Sequence, residues 1–369
     1  MSTARLVAID TEFHREKSYF AKLALVQIAA DDEVFLIDPL RVDISGLRAL
    51  FESDTEVIFH AAAQDLEILR RKVGVTPAKI FDTQVAAGFL GYSSASLASL
   101  LEVFLGVTLD KSDRLSDWMV RPLEAKQLHY AAQDVIYLAA LREALMAELE
   151  KLGRTAWLEE EMKSWVSQEF YAGTDPDRAW SKIREVRSLK GRSKHVAMAL
   201  AAWREAKAIE ADLPVRFVLA DLAIATIAQA APRRASDLRN VRGVDARHLG
   251  GGSDNEIIKV IAHALDSKPI PDEQRTTPDS IDVPSGTATL LVTWLASRAR
   301  SLRIDPALLG SRSDINEIYG GVQGAKLALG WRKEAVGNYI ERIISGEIAL
   351  ALASNGDVTM VQNNHVAIA

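Results

Sequence analysis

The chain has 369 residues, a hydrophobic fraction of 48%, charged residues at 25% and a formal net charge of −6. At roughly 100–200 residues per domain the length predicts two or three domains, and the ordinary composition excludes a fibrous or wholly disordered protein. Cys is absent, which excludes a disulfide scaffold, a Cys nucleophile and Cys-ligated zinc or iron–sulfur centres.

The first nine residues are too short and too charged for a signal peptide. No apolar run approaches the ~18 residues of a membrane span, and the longest candidate, 217–231, is interrupted by Asp221. The expectation is a soluble, cytoplasmic protein.

Charge is uneven along the chain. Residues 1–150 hold 15 Lys+Arg against 23 Asp+Glu, residues 151–250 hold 18 against 13, and the remainder holds 11 against 14. An acidic first part joined to a basic middle suits a carboxylate-rich metal site beside a phosphate-attracting surface. Chance imbalance in a soluble enzyme is the bland alternative.

In chain order, Leu6–Ile9, Leu23–Ala29 and Val34–Ile37 read as three short strands, whose brief connections favour antiparallel pairing. Val57–Phe59 is a fourth strand, followed by a helix over 64–72. Ile80–Phe81 is a fifth, after which Asp82 caps a helix reaching Leu90. Leu97–Leu105 has helical spacing. Residues 122–152 read as one long helix with Pro122 in its first turn. The first part is therefore α/β, a mixed sheet with helices on its faces.

Beyond Leu152 the pattern is helical. Residues 268–286 break it with Pro269, Pro271, Pro278 and Pro284 and read as a linker. A weak repeat relates two helical units. Trp203 with Lys207 and Pro214 is echoed by Trp294 with Arg298 and Pro306. A Trp at a repeated helical position reads as core more readily than as a base-stacking platform. The predicted organisation is an α/β domain over 1–155, a helical connector over 156–190, a small all-α domain over 191–267, the linker, a second small all-α domain over 287–353, and a polar, poorly ordered tail over 354–369.

Four carboxylates stand where acids are unexpected. Asp10 ends a buried-looking strand. Glu12 is two residues on and, at strand period 2, projects from the same face. Asp65 opens the helix after the fourth strand and Asp134 lies inside the long helix. Singly, each has an ordinary reading as a helix-dipole or surface acid. Convergent carboxylates repel one another unless a cation neutralises them, and all-oxygen donors suit Mg²⁺ or Mn²⁺ rather than Zn²⁺.

The run Ile9-Asp10-Thr11-Glu12-Phe13 resembles the first motif of the DEDD exonuclease superfamily. Phe59-His60-Ala61 with Asp65-Leu66-Glu67 resembles the second, and Tyr130-Ala131-Ala132-Gln133-Asp134 the third in its tyrosine form. Phe81-Asp82-Thr83-Gln84, Leu109–Ser112, Ser116-Asp117-Trp118 and Arg121-Pro122-Leu123 look like the ribonuclease D branch. The helical units resemble the HRDC domains that follow the nuclease there.

The resemblance implies an RNase H-like fold and 3′→5′ release of nucleoside 5′-monophosphates from RNA, notably transfer RNA precursors with single-stranded 3′ ends. It implies two divalent cations, Mg²⁺ or Mn²⁺. Asp10, Glu12 and Asp134 would hold one, Asp10 would bridge to the second, and Asp65 would support that one. Tyr130 would orient the attacking water, since a phenol of reference pKa about 10 is a poor base at neutral pH. The string from His129 to Asp134 also fits the histidine branch of the superfamily. On a continuous helix Tyr130 shares the face of Asp134 while His129 lies about 140° around it, which favours Tyr130. His60 lines the pocket or completes a strand end, and Asp82 reads as an N-cap. Lys111, Arg114 and Arg121 are candidates for substrate phosphates. So are Lys190, Arg192 and Lys194, in a basic run over 182–194 that would make binding salt-dependent. Only nine residues precede Asp10, where the family usually carries a longer segment. Two other readings stand beside this one: a DNA 3′→5′ exonuclease of the same superfamily, and a non-catalytic nucleic-acid-binding module. No obligate protein partner and no membrane attachment is expected.

Overall fold

The computed structural model describes residues 5–31, 33–109, 116–167, 175–267 and 283–363. Five strands form one sheet: β1 (Leu6–His14), β2 (Lys22–Ala30), β3 (Glu33–Ile37), β4 (Glu56–Phe59) and β5 (Lys79–Asp82), in the order β3-β2-β1-β4-β5. β2 and β3 pair antiparallel, while β4 runs parallel to both β1 and β5. The sheet is thus mixed, as the sequence predicts. The short α1 (Leu47–Phe51) leads into β4, and α2 (Ala63–Val73) connects β4 to β5. Gly74, at φ +92°, ends α2 and lets its N–H reach the Arg70 carbonyl at 2.7 Å. α3 (Thr83–Gly88), α4 (Leu97–Leu105), α5 (Ala125–Ile136), α6 (Leu138–Lys151) and α7 (Thr155–Val166) follow. α6 packs on α3, α4 and β4, and α7 packs on β5.

The single helix expected over 122–152 is two. Glu124 and Gln127 form a reciprocal capping box that starts α5 at Ala125, so Pro122 lies ahead of the helix. The helix is interrupted at Tyr137 before α6 resumes. The interruption lies beyond residues 129–134, which stay on one continuous helix.

By internal packing, the described residues among 5–11, 25–167 and 283–363 form one unit and those among 12–24 and 175–267 the other, and the continuous strands β1 and β2 run through the division. In the second unit, α8 (Arg184–Arg187), α9 (Gly191–Ala211), α10 (Val215–Val218), α11 (Asp221–Ala230), α12 (Ala235–Leu238) and α13 (Ser253–Asp266) surround a core containing Val196, Leu200, Ile224, Ile227 and Ile257. Trp180, Ile183 and Val186 join that core, so the last part of the connector packs with the helices it precedes. The loop between β1 and β2 belongs to the same unit. The Tyr19 hydroxyl donates to Glu205 at 2.5 Å, and the Phe20 N–H donates to Asp212 at 3.0 Å.

In the first unit, α14 (Ser285–Leu302), α15 (Pro306–Leu309), α16 (Arg312–Tyr319), α17 (Gly330–Arg332) and α18 (Asn338–Ile344) build the C-terminal helical part. Its Trp331 stacks on Trp157 and meets the Phe89 ring edge-on. Arg332 pairs with buried Glu161 of α7 at 2.7 Å, and the Trp331 indole N–H donates to the same carboxylate at 3.1 Å. Removing one member of such a buried pair strands the other charge and costs about 3–5 kcal/mol. The C-terminal helices are therefore tied to α7 by a desolvated polar contact as well as by apolar area.

The repeat has a structural counterpart. α9 ends at left-handed Asp212 before Pro214 opens α10, and α14 ends at left-handed Arg303 before Pro306 opens α15. Trp294 is fully buried, and Trp203 is partly buried with its indole N–H on Glu256 at 2.9 Å, which supports the core reading of both.

The second helical part is not all-α. β6 (Ile348–Leu352) and β7 (Val358–Gln362) form an antiparallel hairpin across a turn containing Gly356 at φ +84°. The Asn355-Gly356 turn between apolar, β-branched runs is the signal for it. The Val358 N–H donates to Ser297 of α14 at 3.1 Å, which orders part of the stretch expected to be a loose tail.

Candidate active site

β1 begins with four apolar residues that fix it in the sheet, Val7, Ala8 and Ile9 being buried. The alternation of a strand then presents Asp10 and Glu12 on one side, both half-buried. α5 supplies the third acid. Asp10, Glu12 and Asp134 each offer a carboxylate oxygen, and these oxygens lie within 4.8 Å of one another. Three anionic groups at that separation repel strongly unless a cation sits among them. The donor set is all oxygen, which fits a hard divalent ion.

Tyr130 stands one helical turn before Asp134 on α5 and is half-buried, while His129 is exposed. Trp118, buried, backs the phenol with ring centroids 6.0 Å apart. The geometry that favoured Tyr130 over His129 is therefore present.

Asp65 is placed differently. It lies in the first turn of α2, only 6% exposed, and the Thr11 hydroxyl donates to its carboxylate. Thr11 sits between Asp10 and Glu12, with its side chain on the other side of the strand. Burial, partly offset by the Thr11 hydrogen bond, pushes the Asp65 carboxyl up to about 7. The close carboxylate trio does not include it. Thr11 was not among the expected site residues; the signal for it was a hydroxyl flanked by two acids.

His60 is half-buried, with Nδ1 2.9 Å from Thr83 Oγ1, and burial lowers its pKa, so the ring is neutral at pH 7. Arg121 is engaged with protein. Its guanidinium grips Asp38 through Nε at 2.7 Å and Nη2 at 2.9 Å, and donates to the Trp118 and Val120 carbonyls. The fork holds Asp38 below the usual carboxylate range and fastens the loop that carries Trp118. Lys111 and Arg114 lie outside the described residues. Lys190 and Arg192 are exposed, and Lys194 lies over the Trp180 ring at 5.1 Å.

No helix among the described residues is long and apolar enough to cross a membrane. A family model described as a 3′-5′ exonuclease matches residues 1–150, and an HRDC domain model matches residues 193–261. Ribonuclease D of Acidiphilium cryptum is 36% identical over 94% of this chain and 89% of its own length. That of Jannaschia sp. is 37% identical over 95% and 92%. The crystal structure of Escherichia coli RNase D, an exoribonuclease involved in structured RNA processing, superimposes with a TM-score of 0.81 at 28% identity, covering 93% of each chain. At that identity over nearly the whole of both chains, the chain belongs to the ribonuclease D family of 3′→5′ exoribonucleases.

Proposed function

We propose that the protein trims the single-stranded 3′ ends of transfer RNA precursors in the cytoplasm, releasing nucleoside 5′-monophosphates with the help of two Mg²⁺ or Mn²⁺ ions. The observation that carries this reading is the approach of Asp10, Glu12 and Asp134 to within 4.8 Å, with Tyr130 one helical turn from Asp134.

Asp10, Glu12 and Asp134 would hold one cation, and Asp65 would help to hold the other. Bound there, the cations would activate a water for attack on the terminal phosphodiester and stabilise the departing 3′ oxygen. Tyr130 orients that water through its hydroxyl, and Trp118 keeps the phenol in place. Thr11 holds Asp65 against β1. Arg121 serves the loop rather than a phosphate, because Asp38 already satisfies its charge. Lys190 and Arg192, with their exposed neighbours Lys182, Arg184 and Arg187, attract the RNA backbone. Lys194 adds to the same field from the Trp180 ring.

The test is digestion of the same oligonucleotide as RNA and as DNA, labelled at either end, with Mg²⁺ or EDTA. Stepwise shortening of RNA from the 3′ end, absent in EDTA and in Asp10→Ala, is expected. Preferential digestion of DNA would shift the reading to a DNA exonuclease, and binding without cleavage would overturn it.

A further inference from the structure

Asp82 is fully buried at the end of β5, and the sequence suggests no more for it than a helix cap. It does cap α3, accepting the N–H groups of Gln84 at 2.8 Å and Val85 at 3.1 Å. The same carboxylate also accepts two N–H groups from a segment 20 residues earlier, Ala61 at 3.2 Å and Ala62 at 2.7 Å. Three of these N–H groups meet Oδ1 and the fourth, that of Ala62, meets Oδ2.

Those two residues form the turn between β4 and α2. Ala61 has φ +61°, a left-handed conformation that a side chain with a Cβ disfavours and that surrounding contacts must hold. Ala62 is the N-cap of α2 and has no side chain able to cap it. Asp82 therefore satisfies from outside the helix the N-cap N–H of Ala62, the group that the N3 side chain of a capping box accepts from within. Thr83 reinforces the link, its hydroxyl donating to the Phe59 carbonyl at 3.1 Å and meeting His60 Nδ1 at 2.9 Å. Phe59 and Asp82 are register partners in the sheet, so the contact spans neighbouring parallel strands at the point where both leave it. Three residues past Ala62 stands Asp65.

We propose that Asp82 is a positioning residue of the cation site: by clamping the Ala61–Ala62 turn it sets where α2 delivers Asp65. Its side chain accepts four backbone N–H groups, through which it holds the turn, and its charge is also felt directly at Asp65. The inference rests on the reading that Asp65 supports a cation. An Asn at this position would turn one acceptor into a donor facing N–H groups. A Ser would still cap α3 but is too short to span to Ala61 and Ala62.

The test uses the full-length protein as wild type, Asp82→Asn, Asp82→Ser, Asp65→Asn and the Asp65→Asn/Asp82→Asn double variant. Rates on a 5′-labelled single-stranded RNA are measured against Mg²⁺ concentration, and Mn²⁺ binding is counted calorimetrically without RNA. Both Asp82 variants are expected to raise the Mg²⁺ midpoint about 10-fold or more and to lower kcat, with KM for RNA within about 2-fold of wild type. The double variant is expected to be no worse than Asp65→Asn alone, since the two changes act on one site. Asp82→Ser keeps the α3 cap and decides the question if Asp82→Asn fails to fold. An unchanged Mg²⁺ midpoint in Asp82→Ser, or a double variant whose losses simply add, overturns the proposal while leaving Asp65 in its role. Wild-type Mn²⁺ binding by Asp65→Asn overturns the cation role of Asp65 and the proposal together.

Discussion

The acids of the site occupy two contrasting surroundings. Asp10, Glu12 and Asp134 are half-buried, come from a strand and a helix, and crowd to within 4.8 Å. Asp65 is buried, hydrogen-bonded by Thr11, and pushed up to about 7 by its desolvation. The trio is brought together by β1 and α5 against its own charge repulsion. Asp65 is arranged by packing, and its surroundings favour a proton until a cation competes for it. The two surroundings differ in what they favour: the mutual repulsion of the trio favours a cation among its oxygens, and the burial of Asp65 favours a proton on its carboxyl.

The sharpest way to test this contrast is the pH dependence of stability in divalent-free buffer. A carboxyl raised from 3.8 to about 7 on folding binds more protons in the folded than in the unfolded chain across that interval. Its contribution to stability therefore falls as pH rises from about 4 to about 7, by on the order of 3 kcal/mol, and is level above that. Asp65→Asn should raise the melting temperature of the metal-free protein, with a larger gain at pH 8 than at pH 5. An equal gain at both pH values would show that Asp65 does not differ from the trio in this way.

The trio's end is probed through its neighbour on α5. Tyr130→Phe should lower kcat by roughly 10- to 100-fold with little change in KM, whereas exposed His129→Ala should leave turnover near wild type. The reverse result would move the site to the histidine branch and detach Tyr130 from Asp134.

The smallest effect is expected away from both sets of acids. Replacing Lys190, Arg192 and Lys194 with Gln should reduce the salt slope of RNA binding by about 2, while kcat at saturating RNA stays unchanged. A fall in kcat would mean that the basic run helps place the 3′ end among the carboxylates rather than only attracting the backbone.

The two helical parts offer a second contrast on a common plan. Each has a long helix with an inward Trp, a left-handed residue at its end and a Pro opening the next helix. The basic residue one turn after each Trp is used within its own part, Lys207 on Glu256 at 2.6 Å and Arg298 over the Tyr339 ring at 5.0 Å. The repeated letters thus mark internal packing, and neither pair supports a nucleic-acid contact. What differs is the outer face, since only the C-terminal part carries Trp331 and Arg332 to meet Trp157 and Glu161.

Much of the site was legible from local periodicity. Asp10 and Glu12 share a strand face because strands alternate, and Tyr130 shares a face with Asp134 because they are one helical turn apart. Both statements need only the backbone geometry of a single element. The mixed sheet was legible for a similar reason, from short apolar runs with short connections followed by strand–helix units. The hairpin of β6 and β7 was missed because the helical pattern before it dominated, although Asn355-Gly356 marked the turn.

The remaining features depend on where separate segments meet. Arg121 is a candidate for substrate phosphates by its charge alone, and its partner Asp38 lies 83 residues away. Asp82 was legible as a cap for the helix beside it, while its hold on Ala61 and Ala62 exists only because β4 and β5 pair in register. Thr11 became part of the site only when α2 brought Asp65 to the back of β1. The sequence by itself thus determined which acids could cooperate, because spacing along one strand or helix dictates direction. Tertiary structure decided which of them are half-buried, which is desolvated and which buried carboxylate holds the backbone in place, because burial and hydrogen-bond partners come from chain segments that no local pattern brings together.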